Sequence, residues 1–194
     1  MMRSRTPPAR LATARLLLQA SEAAIAREVL DFECRNRSHF APWDPPMPPD
    51  FLTLGGQRAR LARGAQELRS GTGARYWLRL REDPGGIIGQ VHFSSIVRGA
   101  FQSAMLGYQI DQALEGRGLM REALQAGIAE MFSPRMRLHR VQAAHLPENT
   151  RSAAVLAALG FERIGVSRAY LFINGQWRDH VLNALVNPQF GGAP

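Results

Sequence analysis

Two glycines define the clearest chemistry in this chain. Gly116 and Gly118 follow the apolar run Met105, Leu106, Gly107, Tyr108, Gln109, Ile110 and lead directly into a stretch where Leu119, Met120, Ala123, Leu124, Ile128, Met131 and Phe132 gather on one helical face. Glycine lets backbone N–H groups converge on a ligand that a Cβ would hold away, and the helix start adds partial positive charge. The combination is an anion site, with phosphate as its natural guest. It is not a Walker loop, which needs Gly-Lys-Ser/Thr, because the chain contains no lysine. Nor does it fit a dinucleotide fingerprint, since Arg121 stands where a third small residue belongs. Gly-x-Gly is also a common plain turn, so the surrounding elements must decide.

Those elements fit one core. At 194 residues and 45% hydrophobic content the length suggests one domain. No apolar run approaches the roughly 18 residues of a membrane span, and Met1–Arg10 is basic with no signal-peptide core behind it, so we expect a cytoplasmic protein. The single cysteine, Cys34, excludes an internal disulfide and a Cys-based zinc cluster. His139 and His145 flank a short strand without metal-ligand spacing, and no metal is assigned. The net charge of +8 comes entirely from arginine. It reads either as attraction to a polyanion, such as a phosphorylated coenzyme or a ribosomal surface, or as a compositional bias. Arginines 58, 60, 63 and 69 fall on an expected surface helix where they would simply be solvated.

Leu11–Gln19 reads as a strand, and Ser21 as the cap of a helix reaching Asn36. Ala41–Asp50, with five prolines, is a shaped loop, and Gly55 and Gly56 precede a second helix over 57–68. Tyr76–Arg81 and Ile87–Val97 are strands joined by the turn Asp83-Pro84-Gly85-Gly86, and the strand ending at Ile110 continues the meander. After the Gly116 helix come a strand at Arg140–His145, a helix at Thr150–Leu159 closed by Gly160, and two strands joined by Asn174-Gly175. The order β-α-α-β-β-β-α-β-α-β-β implies an α+β fold with a mixed sheet.

This order and these residues resemble the GCN5-related N-acetyltransferase (GNAT) superfamily. Its Gln/Arg-x-x-Gly-x-Gly/Ala signature falls on Glu115 through Met120, where Gly118 matches and Glu115 and Met120 depart. Within it the chain is similar to the ribosomal-protein-alanine N-acetyltransferases of the RimJ type. The likeness is carried by Asn36-Arg37, Pro42-Trp43, Phe93-Ser94, Val97-Arg98-Gly99, Leu106-Gly107-Tyr108, His139-Arg140, Pro147 with Asn149, Arg151-Ser152, Leu159-Gly160-Phe161 and the run Gly175 to Leu182. The resemblance implies a mixed, mostly antiparallel sheet, splayed in a V between its two central strands, with helices on both faces. It implies one acetyltransferase domain over residues 1–188, and 189–194 then form a flexible tail. The cosubstrate it implies is acetyl-coenzyme A, held by Ile110, Gly116, Arg117, Gly118, Leu119, Met120, Asn149 and Ser152. The acceptor it implies is the terminal alanine or serine amine of a small-subunit ribosomal protein, with possible ribosome contact, the enzyme being a monomer or homodimer.

Transfer of acetyl from a thioester needs a neutral amine, a polarised carbonyl and a proton for the departing thiolate. The resemblance sets the acetyl carbonyl against a backbone N–H near Ile110. It gives Asn149 the pantetheine arm and Ser152 the thiolate, although asparagine before a helix is equally a favoured cap. Trp43 and Asp179 would meet the acceptor, with Tyr76, Phe93 and Tyr170 as further walls. Glu115 would turn its carboxylate into solvent, away from the pyrophosphate. No single base stands out: an α-amine near pKa 8, against about 10.4 for lysine, can lose its proton to ordered water, with Glu33, Asp179 or His180 as helpers. Two other readings remain open, a small-amine or antibiotic acetyltransferase and a non-catalytic basic ribosome- or RNA-binding module.

Overall fold

The computed structural model describes residues 6–191. Its opening differs from the single strand expected over 11–19, because the chain folds back on itself. Strands β1 (Arg10–Ala12) and β2 (Leu16–Ala20) pair antiparallel. The turn between them is fixed from far away. Thr13 Oγ1 donates to Glu122 Oε1 at 2.5 Å, and the Arg15 backbone N–H donates to the same oxygen at 2.8 Å.

Helices α1 (Ala26–Phe40) and α2 (Leu54–Ser70) follow. Ser21 does not cap α1, which is entered through a single turn at Ala23–Ile25 without a side-chain cap. The Ser21 hydroxyl is buried and accepts from Trp77 Nε1 at 3.1 Å, so a tertiary partner has claimed the capping group. Helix α2 starts three residues before the expected 57, because Thr53 caps it by accepting from Gly56 N at 3.0 Å. It closes at Gly71 in the left-handed region, with φ 69°.

Strands β3 (Ala74–Leu80), β4 (Gly89–Val97) and β5 (Ser103–Ile110) form the meander. Then come α3 (Leu119–Phe132), β6 (Arg140–His145), α4 (Thr150–Ala158), β7 (Glu162–Ile173) and β8 (Gln176–Val186). They build one sheet in the order β1-β2-β3-β4-β5-β6-β8-β7, antiparallel at every pairing except β5 with β6.

Alternation along the strands divides the core into two layers. Tyr76 and Trp77 are neighbours on β3 and both fully buried, yet they enter opposite layers. Tyr76 joins Leu18, Val91, Phe93, Leu124 and Met131 beneath α3, whereas Trp77 packs with Val29, Phe32, Leu61 and Ile87 beneath α1 and α2. Helices therefore cover both faces.

The parallel pairing is short. It runs from Ser103 opposite Arg140 to Leu106 opposite Ala143 and stops, although β5 continues to Ile110. Beyond Leu106 the two central strands part, and the V-shaped splay that the family resemblance implies is present. Among the described residues no helix is long and apolar enough to cross a membrane. Part of the tail expected at 189–194, and Met1–Arg5 of the basic opening, lie outside the described residues.

Candidate active site

A cleft of about 950 Å³ opens where β5 and β6 diverge. One end is built by the glycine loop. Gly116 and Gly118 have φ of 74° and 73°, a conformation that L side chains rarely adopt. The first bond of α3 runs from Glu122 N to Gly118 O at 3.1 Å. The N–H groups of Leu119, Met120 and Arg121 are therefore without intrahelical acceptors and crown the helix start. Arg15 holds the loop in place, with Nη1 donating to Arg117 O at 3.0 Å and Nε to Glu122 Oε2 at 2.6 Å. Burial pushes the Glu122 carboxyl up, but the Thr13 hydroxyl, the Arg15 amide and its guanidinium outweigh it and hold the group below the usual range.

Glu115 does not turn into solvent. Its Oε1 lies 3.0 Å from His39 Nε2 and its Oε2 lies 3.0 Å from Arg151 Nη1. An imidazole from α1 and a guanidinium from α4 are both in reach, so a hydrogen-bond contact with His39 and an ion pair with Arg151 hold the carboxylate and tie the two helices across the cleft. The partners also offset a carboxylate that would otherwise repel an anion at the glycine loop.

The splay exposes a backbone donor. Asp111 N donates to Ile88 O, just before β4, at 2.8 Å. Because N–H groups alternate sides along a strand, the Ile110 N–H points the other way, into the gap that β6 has left. The strand end is held by Asp111 itself, whose Oδ2 accepts from Arg35 Nε at 2.5 Å and whose Oδ1 accepts from Ala113 N at 3.1 Å. Asn36 Oδ1 adds a bond from Gln112 N at 3.0 Å.

Asn149 and Ser152 both line the cleft. Asn149 caps α4, its Oδ1 accepting from Ser152 N at 3.0 Å, and its amide NH2 has no protein partner among the described residues. Ser152 Oγ lies 2.7 Å from the Tyr108 hydroxyl. Burial pushes the Tyr108 phenol up to about 12, opposed by the Ser152 hydrogen bond, so it stays protonated. With Tyr108 donating, the Ser152 proton is left for the cleft. The sequence had placed Tyr108 in a matching string without assigning it this contact.

At the other end the proline-rich loop turns back, with Trp43 N donating to Phe40 O at 2.8 Å, and Trp43 lines the cleft with Met47 and Phe51. The remaining aromatic walls are elsewhere. Tyr76 is in the core with its hydroxyl donating to Pro8 O at 2.9 Å, Phe93 packs beneath α3 against Gly127, and Tyr170 lies on β7 with its ring 5.5 Å from His180. Asp179 is exposed on β8, outside the cleft lining, and accepts from Ala169 N at 2.8 Å, supporting a bulge where Ala169 has φ 46°.

Below Trp43 runs a chain of polar groups. Asp44 accepts from Gln109 Nε2 with both oxygens, at 2.9 and 2.7 Å. Gln109 Oε1 accepts from Gln90 Nε2, and Gln90 Oε1 accepts from Arg75 and, at 3.2 Å, from Arg60 Nη2. Arg60 is thus not a solvated helix arginine; its Nη1 bonds Glu33 Oε1 at 2.6 Å, and the Glu33 side chain is only 3% exposed. Arg58, Arg63 and Arg69 are exposed as expected. Beside this chain His92 packs on Gly107, where a Cβ would come within 2.3 Å of the ring. Burial, with Arg75 and Arg60 adding to it, holds the imidazole neutral, well below its ordinary value, and its Nδ1 has no partner among the described residues.

A splayed mixed sheet, a bare strand N–H in the gap, a left-handed glycine loop opening a helix, and a hydroxyl near the junction together define an acyl-coenzyme A-dependent N-acetyltransferase. Comparison with known proteins agrees. The sequence model described as "Acetyltransferase (GNAT) domain" matches residues 15–162, and the chain belongs to that family. It is 40% identical over 188 residues to the [Ribosomal protein uS5]-alanine N-acetyltransferase of Escherichia coli (strain K12), covering 97% of this chain and 96% of that one. Among solved structures it is similar to the ribosomal-protein-S5-alanine acetyltransferase of Vibrio fischeri, with TM-score 0.89 and 32% identity over 95% of this chain and 100% of that chain. It is also similar to Mycobacterium smegmatis RimJ in complex with CoA-disulfide, with TM-score 0.88 and 27% identity over 99% and 93% of the two chains. The enzyme uses acetyl-coenzyme A as acetyl donor, and the loop and strand geometry fit that molecule.

Proposed function

We propose that this acetyltransferase modifies the α-amine of an N-terminal alanine or serine on a ribosomal protein, one of the small subunit, in the cytoplasm. The observation that carries the reading is the near full-length 40% identity to a uS5-alanine acetyltransferase, over 97% of this chain and 96% of that one. The cleft supports it, since Trp43 and the apolar loop flank one end while the anion-binding loop closes the other.

In this reading the N–H groups over Gly116, Arg117, Gly118, Leu119 and Met120 receive the pyrophosphate, and the Asn149 amide holds the pantetheine arm. The Ile110 N–H receives the carbonyl oxygen as charge develops on it. Ser152, backed by Tyr108, gives a proton to the departing thiolate. Asp179, outside the cleft, is left with its role in the β7–β8 bulge, and Trp43 faces the acceptor.

The test is release of coenzyme A thiol with acetyl-coenzyme A and a peptide panel: free N-terminal Ala or Ser, the same peptides blocked, and lysine-only peptides. Mass spectrometry locates the acetyl group. Transfer confined to the free terminal amine is expected. Coenzyme binding without transfer to any peptide would move the acceptor to the small amines.

A further inference from the structure

Asp44 is the anomaly of the cleft. The chain carries 24 basic residues, all arginine, and the neighbouring carboxyl of Glu33 holds one of them at 2.6 Å. Asp44 has no such partner among the described residues. Both its oxygens are met by one amide nitrogen, Gln109 Nε2, and the carboxyl still lines the cleft. A partly buried carboxyl without a cation, in a chain so rich in them, leaves a place for a cation that comes and goes.

The place is well chosen. Tyr108, Gln109 and Ile110 are consecutive on β5, so their side chains alternate between the two faces of the sheet. Tyr108 positions the Ser152 hydroxyl on one face, Gln109 positions the Asp44 carboxyl on the other, and the Ile110 N–H looks into the gap. We propose that Asp44 is the catalytic residue that receives the acceptor's ammonium group and takes its proton before attack. The inference rests on the proposed amine acceptor.

The steps balance. The ammonium passes one proton to the Asp44 carboxylate, and the freed lone pair forms the N–C bond to the thioester carbonyl. The C–S bond breaks as Ser152 gives its proton to the departing sulfur, which leaves as thiol, the nitrogen's second proton restores the Ser152 hydroxyl, and Asp44 returns its proton to solvent.

The surroundings keep the carboxyl basic. Burial and the Glu33 carboxylate on α1 push Asp44 up to about 7, against Gln109 on β5 and Arg60 on α2. Arg75 on β3 acts only through the Gln90 and Gln109 amides. A base near 7 matches an α-amine near 8 better than an ordinary aspartate would.

The experiment is a pH profile of kcat/KM for full-length wild type, Asp44→Asn and Asp44→Glu with acetyl-coenzyme A and an N-terminal Ala peptide. Coenzyme A binding serves as the folding control, expected within twofold in all three. Asp44→Asn should lose roughly 10²-fold and its rate should keep climbing past pH 8, while Asp44→Glu recovers at least tenfold. With an aminooxy-ended peptide, whose nucleophile is already neutral at pH 7, the Asp44→Asn defect should shrink below about fivefold. Equal defects on both peptides, or Asp44→Asn within threefold of wild type on the Ala peptide, overturn the proposal. If the wild type binds coenzyme A but acetylates neither peptide, the acceptor reading falls and takes this proposal with it.

Discussion

Replacing Asp44 with asparagine should make the protein more stable, by an amount that grows from about pH 4 and levels off above about pH 7. A carboxyl raised from 3.8 to about 7 on folding is easier to ionise in the unfolded chain than in the native one. Between those values the native state binds more protons, so stability falls as pH rises through the window and is flat beyond it. Three units at about 1.36 kcal/mol each give a ceiling of about 4 kcal/mol. Water in the cleft screens part of this, and asparagine can still accept from Gln109 through its amide oxygen, so about 1–2 kcal/mol is the expected gain at pH 8. Below about pH 4 the gain should vanish, because aspartic acid and asparagine are then both neutral. Urea unfolding of wild type and Asp44→Asn at pH 4 and pH 8 measures the difference of differences, in which all other titrations cancel. An asparagine variant with the same relative stability at both pH values, or a lower one at pH 8, would refute the reasoning. Such a gain in stability alongside a loss of rate is the trade expected when a site holds a charge ready for its ligand.

Three further outcomes follow from the geometry. Ser152→Ala should lower kcat by roughly 10²-fold with coenzyme affinity within twofold, Tyr108→Phe should cost less, and the double variant should be no worse than Ser152→Ala, read by steady-state kinetics. Glu115→Ala removes a negative charge beside the anion loop and frees Arg151, so calorimetry at low salt should show coenzyme A binding about two- to fivefold tighter, an effect that fades at high salt. Gly107→Ala puts a Cβ 2.3 Å from His92 Cε1, which must withdraw by about 1 Å to reach ordinary contact. The cost should be about 1–3 kcal/mol in denaturant melts, partly recovered when His92→Ala is added.

What the sequence disclosed was governed locally. The Asn174-Gly175 turn, the β6 strand, the Asn149 cap and the left-handed glycines before α3 each follow from residues within a few positions of one another. The misses have distant partners. The split of the first strand depends on Glu122, Ser21 is claimed by Trp77, and Arg60 is drawn inward by Glu33 from another helix. The loop around Glu115 gives no sign of its partner His39, which lies 76 positions away in the chain. Asp44 carried no spacing signal at all, because Gln109 meets it across 65 residues. Tyr76 and Phe93 show the limit of reading aromatics by type: strand alternation, once the register is known, sends both beneath α3.

The early end of the β5–β6 pairing gives the sheet an edge in its own interior. Edges usually lie at the rim, where short strands or bulges blunt them, but here the rungs from Gly107 to Ile110 are left open at the centre of the molecule. A ligand that satisfies those rungs completes the sheet as well as supplying an acetyl group. By mass action such a ligand at a hundred times its dissociation constant adds about 2.7 kcal/mol to the folded state. The molecule should therefore unfold at a higher temperature when the cosubstrate fills the gap than when the interior edge is bare.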